Sequence, residues 1–190
     1  RYLPRPNSSK TTKQLTEKFD EVLDRAITRA IELADGRSIS VPLSGGLDSR
    51  LVLAKLVQHQ YSKLNCFTYG IGGNHEVMLA RRTADRLGVP WQFIRCKSRA
   101  LSELYASDER RQYADYADGF VSVPVYTEFE AFSHIKRHHL IDEDSVIVNG
   151  QSGDFLFGGH VPESLMNCQE FDDVIDYIIR KHCMHWPYLL

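Results

Sequence analysis

Apolar residues recur at three- and four-residue spacing from Leu15 through Phe19, Val22, Ala26, Ile27, Ala30 and Ile31 to Leu33, with Lys18, Glu21, Arg25 and Arg29 on the other face. That period predicts an amphipathic helix, which Thr11 or Thr12 can cap and which Gly36 would end in a left-handed conformation. Ile39 to Leu43 then reads as a short strand, followed at once by Ser44-Gly45-Gly46-Leu47-Asp48-Ser49. Helical spacing resumes from Leu51 to Val57. Leu64 to Tyr69 predicts a second strand, Glu76 to Leu87 a helix stopped by Gly88, and Trp91 to Cys96 a third strand. Leu101 to Asp118 is polar and helical in part, and Val125 to His138 is a stronger helical pattern. Val146 to Val148 is short and wholly apolar, as a buried parallel strand should be. Phe171 to Ile179 closes the pattern as a helix with Val174, Ile175 and Ile178 on one face.

Strands alternating with helices imply right-handed βαβ units, and so an α/β fold: a doubly wound parallel sheet with helices on both faces. Ligands of such sheets bind beyond the carboxyl ends of the strands, where strand order reverses. Glycine-rich loops follow Leu43 and Val148, so the two loops share that crevice if the first and fourth strands are neighbours. Pro42 is the one awkward residue, since it removes a donor from a strand that should be central.

Composition narrows the function classes. The 190 residues allow one hydrophobic core, and 43% hydrophobic with 25% charged residues is ordinary for a globular domain. Lys and Arg total 23 against 25 Asp and Glu, so the basic excess of a general nucleic-acid binder is missing. No apolar run reaches the length of a membrane span, and no signal-peptide pattern opens the chain. Cys66, Cys96, Cys168 and Cys183 lie far apart, which argues against a zinc ribbon, an iron–sulfur site or a disulfide framework. The expected setting is the reducing cytoplasm. The run Arg1 to Ser9 reads as a linker and the chain closes on Tyr188-Leu189-Leu190, so a fragment of a longer protein is expected.

The Ser44 to Ser49 block carries the sharpest chemistry. Its glycines let backbone approach an anion, the following helix aims unpaired N–H groups at it, and Asp48 offers a hard oxygen for Mg²⁺. The Walker pattern G-x-x-x-x-G-K-[ST] is missing. The block resembles the PP-loop, Ser-Gly-Gly-x-Asp-Ser, of ATP pyrophosphatases that cleave ATP to AMP and pyrophosphate. The alternative is a tight strand-to-helix turn with a Ser/Asp cap. Asn149-Gly150-Gln151-Ser152-Gly153-Asp154-Phe155-Leu156-Phe157-Gly158-Gly159 resembles the Gly-Glu-Gly-x-Asp-Glu-Leu-Phe-Gly-Gly segment of asparagine synthetases, and the two blocks occur in that family's order. The resemblance spans roughly Leu15 to His160 and implies an adenine nucleotide alpha hydrolase-like fold of PP-loop type over residues 11–190, preceded by a linker at 1–10 from an upstream domain and truncated at its carboxyl end.

Carried over to this sequence, the resemblance implies that Ser44, Gly45, Gly46, Leu47, Asp48 and Ser49 hold the pyrophosphate of ATP. It makes Asp48 and Asp154 ligands of Mg²⁺. Leu43, Tyr69, Asn149 and Gly150 fall where the family contacts adenine and ribose. Two departures stand out: Gln151 stands where the family has Glu, and Phe155 where it has a second acidic residue. An amide cannot take and hold a proton as a carboxylate does. The stretch Asp118 to Ile135, where the family holds its amino-acid substrate, has no convincing match either. Gly150-Gln151-Ser152-Gly153-Asp154 is more similar to relatives linked to bacterial surface polysaccharides (lipopolysaccharide biosynthesis among them), which implies a sugar carboxylate as acceptor.

The resemblance thus implies a carbon–nitrogen ligase that adenylates a carboxylate and passes it to ammonia from a glutaminase domain upstream or in another chain. Two other readings stay open: a different PP-loop adenylase, such as a tRNA-modifying enzyme, and a nucleotide-binding module without catalysis, for which Gln151 is the best argument. His134 and His138 share a helix face as a candidate metal pair without an evident third ligand. His160 is placed to reach the crevice, whereas His182, His185, Arg81 and Arg82 read as solvated. Cys66 and Cys96 read as small core residues.

Overall fold

A computed structural model describes residues 10–96, 98–117, 126–151, 153 and 171–182. The chain divides into two compact units, Arg1–Gly150 and Gln151–Leu190. Helix α1 runs Thr12–Ala34 and opens with a capping box, in which Thr11 and Gln14 each accept from the other's backbone N–H. At its end Gly36 takes the expected left-handed conformation at φ 74°, and Asp35 before it is left-handed as well, at φ 49°, returning its N–H to Ile31 and Glu32 carbonyls.

Strand β1 (Ile39–Pro42), helix α2 (Leu47–Gln58), strand β2 (Leu64–Gly70), helix α3 (His75–Leu87) and strand β3 (Trp91–Arg95) follow as two successive βαβ units. The polar middle forms two helices, α4 (Ser98–Tyr105) and α5 (Asp108–Ala117), before α6 (Tyr126–Arg137) and strand β4 (Val146–Ile147). The second unit contains helix α7 (Phe171–His182).

The sheet is parallel throughout, in the order β3-β2-β1-β4. Progress from β1 to β3 runs one way and β4 is laid on the other side of β1, so strand order reverses between β1 and β4. One face packs Ile39 and Val41 of β1, with Leu43 just beyond it, against Ile27 and Ala34 of α1, Leu53 and Leu56 of α2, and Ala80 and Ala84 of α3. The other packs Phe67 and Ile94 against Ala131 and Ile135 of α6. Lys55 of α2 is buried against α1, where its ammonium meets Asp20 at 2.6 Å and Asp24 at 2.9 Å.

Strand β4 is less buried than its composition predicts. Val146 and Val148 pack into the core, but Ile147 is exposed on the opposite face, because β4 is an edge among the described residues. Pro42 is accommodated by register. Ile39 and Leu43 donate to Lys63 and Phe67, so odd-numbered donors of β1 face β2. Pro42 falls on the β4 side, where pairing has already ended at Ser40 and Ile147.

Candidate active site

The loop after β1 is braced by its own hydroxyls. Ser44 N donates to Ser49 Oγ at 3.0 Å, Gly46 N donates to Ser44 Oγ at 3.1 Å, and the two hydroxyls lie 3.0 Å apart. Gly46 is the N-cap of α2 and has no side chain to offer, so the first N–H groups of Leu47, Asp48 and Ser49 remain directed out of the helix start. Asp48 stands in that first turn, Ser49 is buried beneath it, and Leu47 is 76% exposed at the rim.

Two glycines let neighbouring backbone close on this loop. A Cβ at Gly45 would lie 3.1 Å from the Glu76 Cα at the start of α3. A Cβ at Gly150 would lie 2.6 Å from Ser49 N and 2.7 Å from the Asp48 carbonyl carbon, closer than any side chain tolerates. Val148 N donates to Ser40 O at 3.2 Å, which steers the second loop into that contact. The crevice expected between β1 and β4 is therefore real, with Gly150 laid against the turn that holds Asp48.

The root of the loop is anchored from across the sheet. Leu43 N donates to Phe67 O at 2.7 Å, and the buried Thr68 hydroxyl donates to Leu43 O at 2.7 Å. Thr68 Oγ1 in turn accepts from Trp91 Nε1 at 2.9 Å. Both backbone polar groups of Leu43 are thus engaged within the sheet. Tyr69 stands at the same carboxyl end, half-buried, and its hydroxyl donates to Glu128 Oε1 of α6 at 3.1 Å. Burial, with the Glu128 carboxylate beside it, pushes the Tyr69 phenol above its ordinary range. Cys96, just past β3, is pushed up to about 12 by burial and secondarily by Glu130, so its thiol stays neutral and is no nucleophile. Cys66 is buried and also pushed up to about 12.

Asn149 is exposed beside Gly150, and Gln151 is an exposed turn residue that opens the second unit. Asp154, Phe155, His160, Cys168, Cys183 and His185 lie outside the described residues, as do residues 118–125 and the side chain of His182. The rings of His134 and His138 are 4.3 Å apart, but no group of three metal-ligating side chains occurs among the described residues. Arg81 is exposed, with its guanidinium 6.0 Å from the Trp91 ring centre.

The donor set around Asp48 fits Mg²⁺ in its usual role. That ion commonly takes one or two carboxylates and completes its shell with water and substrate phosphates, rather than a full protein cage. Asp48 supplies such a carboxylate beside N–H groups suited to phosphate.

The model of the asparagine synthase family matches residues 18–177, from the middle of α1 into α7. The chain belongs to the asparagine synthase family. This asparagine synthase domain is accordingly of the ATP-utilising PP-loop synthetase type, with its two signature loops following β1 and β4. Among solved structures, the domain is similar to the NH3-dependent NAD synthetase from Campylobacter jejuni subsp. jejuni NCTC 11168 in complex with the nitrate ion. The identity is 16% and the TM-score 0.49, over 75% of this chain and 59% of that one. No curated protein sequence matches the domain.

Several contributors to the site carry no local signature. Thr68 and Trp91 brace Leu43 from other strands, Glu76 abuts Gly45, and Glu128 fixes Tyr69. The one available hint is a threonine within the apolar run Cys66 to Tyr69, where a buried hydroxyl requires a partner.

Proposed function

We propose that this domain adenylates a carboxylate, releasing pyrophosphate, and transfers the acyl group to ammonia. The observation that supports it best is the close approach of Gly150, at the start of the second family segment, to Asp48 and Ser49 of the first loop. A carboxylate oxygen of the acceptor attacks the α-phosphorus of ATP, and the bond to pyrophosphate breaks. Ammonia then attacks the acyl carbon and AMP leaves. Ser44 to Ser49 bind the departing pyrophosphate through backbone N–H groups and a hydroxyl, which stabilise the charge that develops on it. Mg²⁺ bound by Asp48, together with Asp154, would supply further neutralisation of that charge. Leu43, Tyr69, Asn149 and Gly150 border the nucleoside.

Gln151 can donate a hydrogen bond near the intermediate but cannot hold the proton lost by ammonia. With Gln151 in place of the family's Glu, the reading favours an acceptor other than aspartate, and we assign a sugar carboxylate. Ammonia would come from a glutaminase domain upstream or in another chain, and the cytoplasm would supply the ATP. Among the described residues, no helix is long and apolar enough to cross a membrane. Chromatography of nucleotide products from the full-length protein, given ATP, ammonium and a panel of uronic acids, tests the reading. AMP and pyrophosphate are expected. ADP as the main product would overturn it.

A further inference from the structure

The Ser44 to Ser49 loop contains no lysine or arginine, yet a pyrophosphate group carries several negative charges. Arg50 follows the loop directly, in the first turns of α2. Its side chain does not extend toward the helix carboxyl end, where the macrodipole would favour a cation. It folds back, with Nε donating to Gly46 O at 2.9 Å. The guanidinium is thereby held alongside the first turn of α2, at the carbonyl of its N-cap residue. Among the described residues, no carboxylate lies within ion-pair distance of it, and its terminal nitrogens have no partner.

Taken alone, that position is electrostatically unfavourable. A positive side chain rests on the positive end of a helix and is only half-buried by its surroundings. An anion seated on the N–H groups removes the conflict, because helix end and guanidinium then both face negative charge. Anchoring through Nε leaves the terminal nitrogens to meet phosphate oxygens in a planar fork, an arrangement that lysine cannot reproduce.

We propose that Arg50 is a further pyrophosphate-binding residue of this site, one that clamps the β- and γ-phosphates of ATP from the first turns of α2 and retains its grip on the departing pyrophosphate. The inference rests on the adenylation reading above. It assigns to Arg50 the positive charge that the loop itself lacks.

The test is calorimetric titration of the full chain with Mg²⁺–pyrophosphate, Mg²⁺–ATP and adenosine, for wild type, Arg50→Gln and Arg50→Lys. Loss of charge-assisted hydrogen bonds should weaken pyrophosphate and ATP by about 10- to 100-fold in Arg50→Gln. Adenosine affinity should stay within about twofold of wild type, and Arg50→Lys should fall between the two, keeping the charge without the fork. Equal pyrophosphate affinity in Arg50→Gln and wild type would overturn the assignment. So would a parallel loss of adenosine in both variants, which would mark Arg50 as a structural cap of α2. Failure of the wild-type chain to bind either phosphate ligand is a distinct result, since it would remove the adenylation reading and this inference with it.

Discussion

Thr68→Val isolates the anchor that fixes the root of the phosphate loop. Valine keeps the shape of threonine and replaces the hydroxyl with a methyl group. Two hydrogen bonds vanish: the one Thr68 gives Leu43 O at 2.7 Å and the one it accepts from Trp91 Nε1 at 2.9 Å. Leu43 is 2% exposed, so water cannot replace the donor to its carbonyl, whereas the half-buried indole can regain a partial one. A typical net hydrogen bond contributes about 1 kcal/mol and a stranded buried acceptor costs roughly 1–3 kcal/mol, so about 2–4 kcal/mol of stability should be lost. For a chain of this length that corresponds to a fall in Tm on the order of 5–15 °C. Thr68→Ser keeps the hydroxyl and deletes one buried methyl, which should cost only about 1 kcal/mol. Thermal unfolding followed by circular dichroism compares the two. ATP affinity should fall further in the valine variant, because the loop begins at Leu43. If Thr68→Val proves as stable as Thr68→Ser, or more so, packing rather than the hydroxyl holds this position and the anchor argument is refuted.

Gly150→Ala should destabilise the crevice by roughly 1–3 kcal/mol, because its Cβ would meet backbone at 2.6 Å and the two loops must part; wild-type Tm together with wild-type ATP affinity would show that they are not in contact. Asp48→Asn should abolish the Mg²⁺ dependence of pyrophosphate binding while leaving Tm within a degree or two, since the substitution is isosteric and the half-buried side chain lies outside the hydrophobic core; the same loss of Mg²⁺ dependence is expected for Asp154→Asn, and calorimetry with and without Mg²⁺ reads both. Lys55→Met should remove a pH-dependent clamp between α1 and α2. The Lys55 and His59 partners hold the Asp24 carboxyl below its ordinary 3.8, and hydrogen bonds donated to Asp20 and Asp24 hold the Lys55 ammonium above 10.5. A lowered acid stabilises above its unfolded value and a raised base below its own, so the Tm gap between wild type and variant should be flat from about pH 5 to about pH 9. It should close as pH falls below 3.8 or rises past 10.5, and a gap unchanged at pH 3 would contradict the ion-pair account.

What the sequence reveals here is what local physics determines. Helical periods and caps are local, so α1 from Thr12 and α3 up to Gly88 can be read within a residue or two. The phosphate loop is local as well, because glycines, hydroxyls and a following helix lie within six positions. Its partner can be read only conditionally, since the second loop reaches the first through the pairing of β1 with β4, more than 100 residues apart in sequence. Thr68 and Trp91 illustrate the remainder: 25 residues separate Thr68 from Leu43 and 23 separate it from Trp91. Their joint role depends on register, which no residue type announces. Strand β4 misleads for a related reason: Val146-Ile147-Val148 has the composition of a strand buried on both sides, while burial depends on what lies beyond its edge.

Counting donors shows why the loop cannot neutralise a phosphate by itself. Each serine hydroxyl has one proton to give and can accept more than once. Ser44 Oγ already accepts from Gly46 N, and Ser49 Oγ accepts from Ser44 N. The two oxygens are also hydrogen-bonded to each other, so one of the two protons is consumed within the loop. A single hydroxyl proton is left for a ligand while the loop keeps this shape. The rest of its capacity is backbone N–H at the start of α2, which contributes partial charge only. Such a cradle orients a polyanion well and compensates it poorly. On the adenylation reading proposed above, full compensation would come from groups at its margin: a cation on Asp48 and the guanidinium of Arg50, whose Nε is bonded to Gly46 O. With positive charge confined to these margins, the loop is suited to releasing an intact pyrophosphate, and it has no lysine of its own to assist transfer of a terminal phosphoryl group.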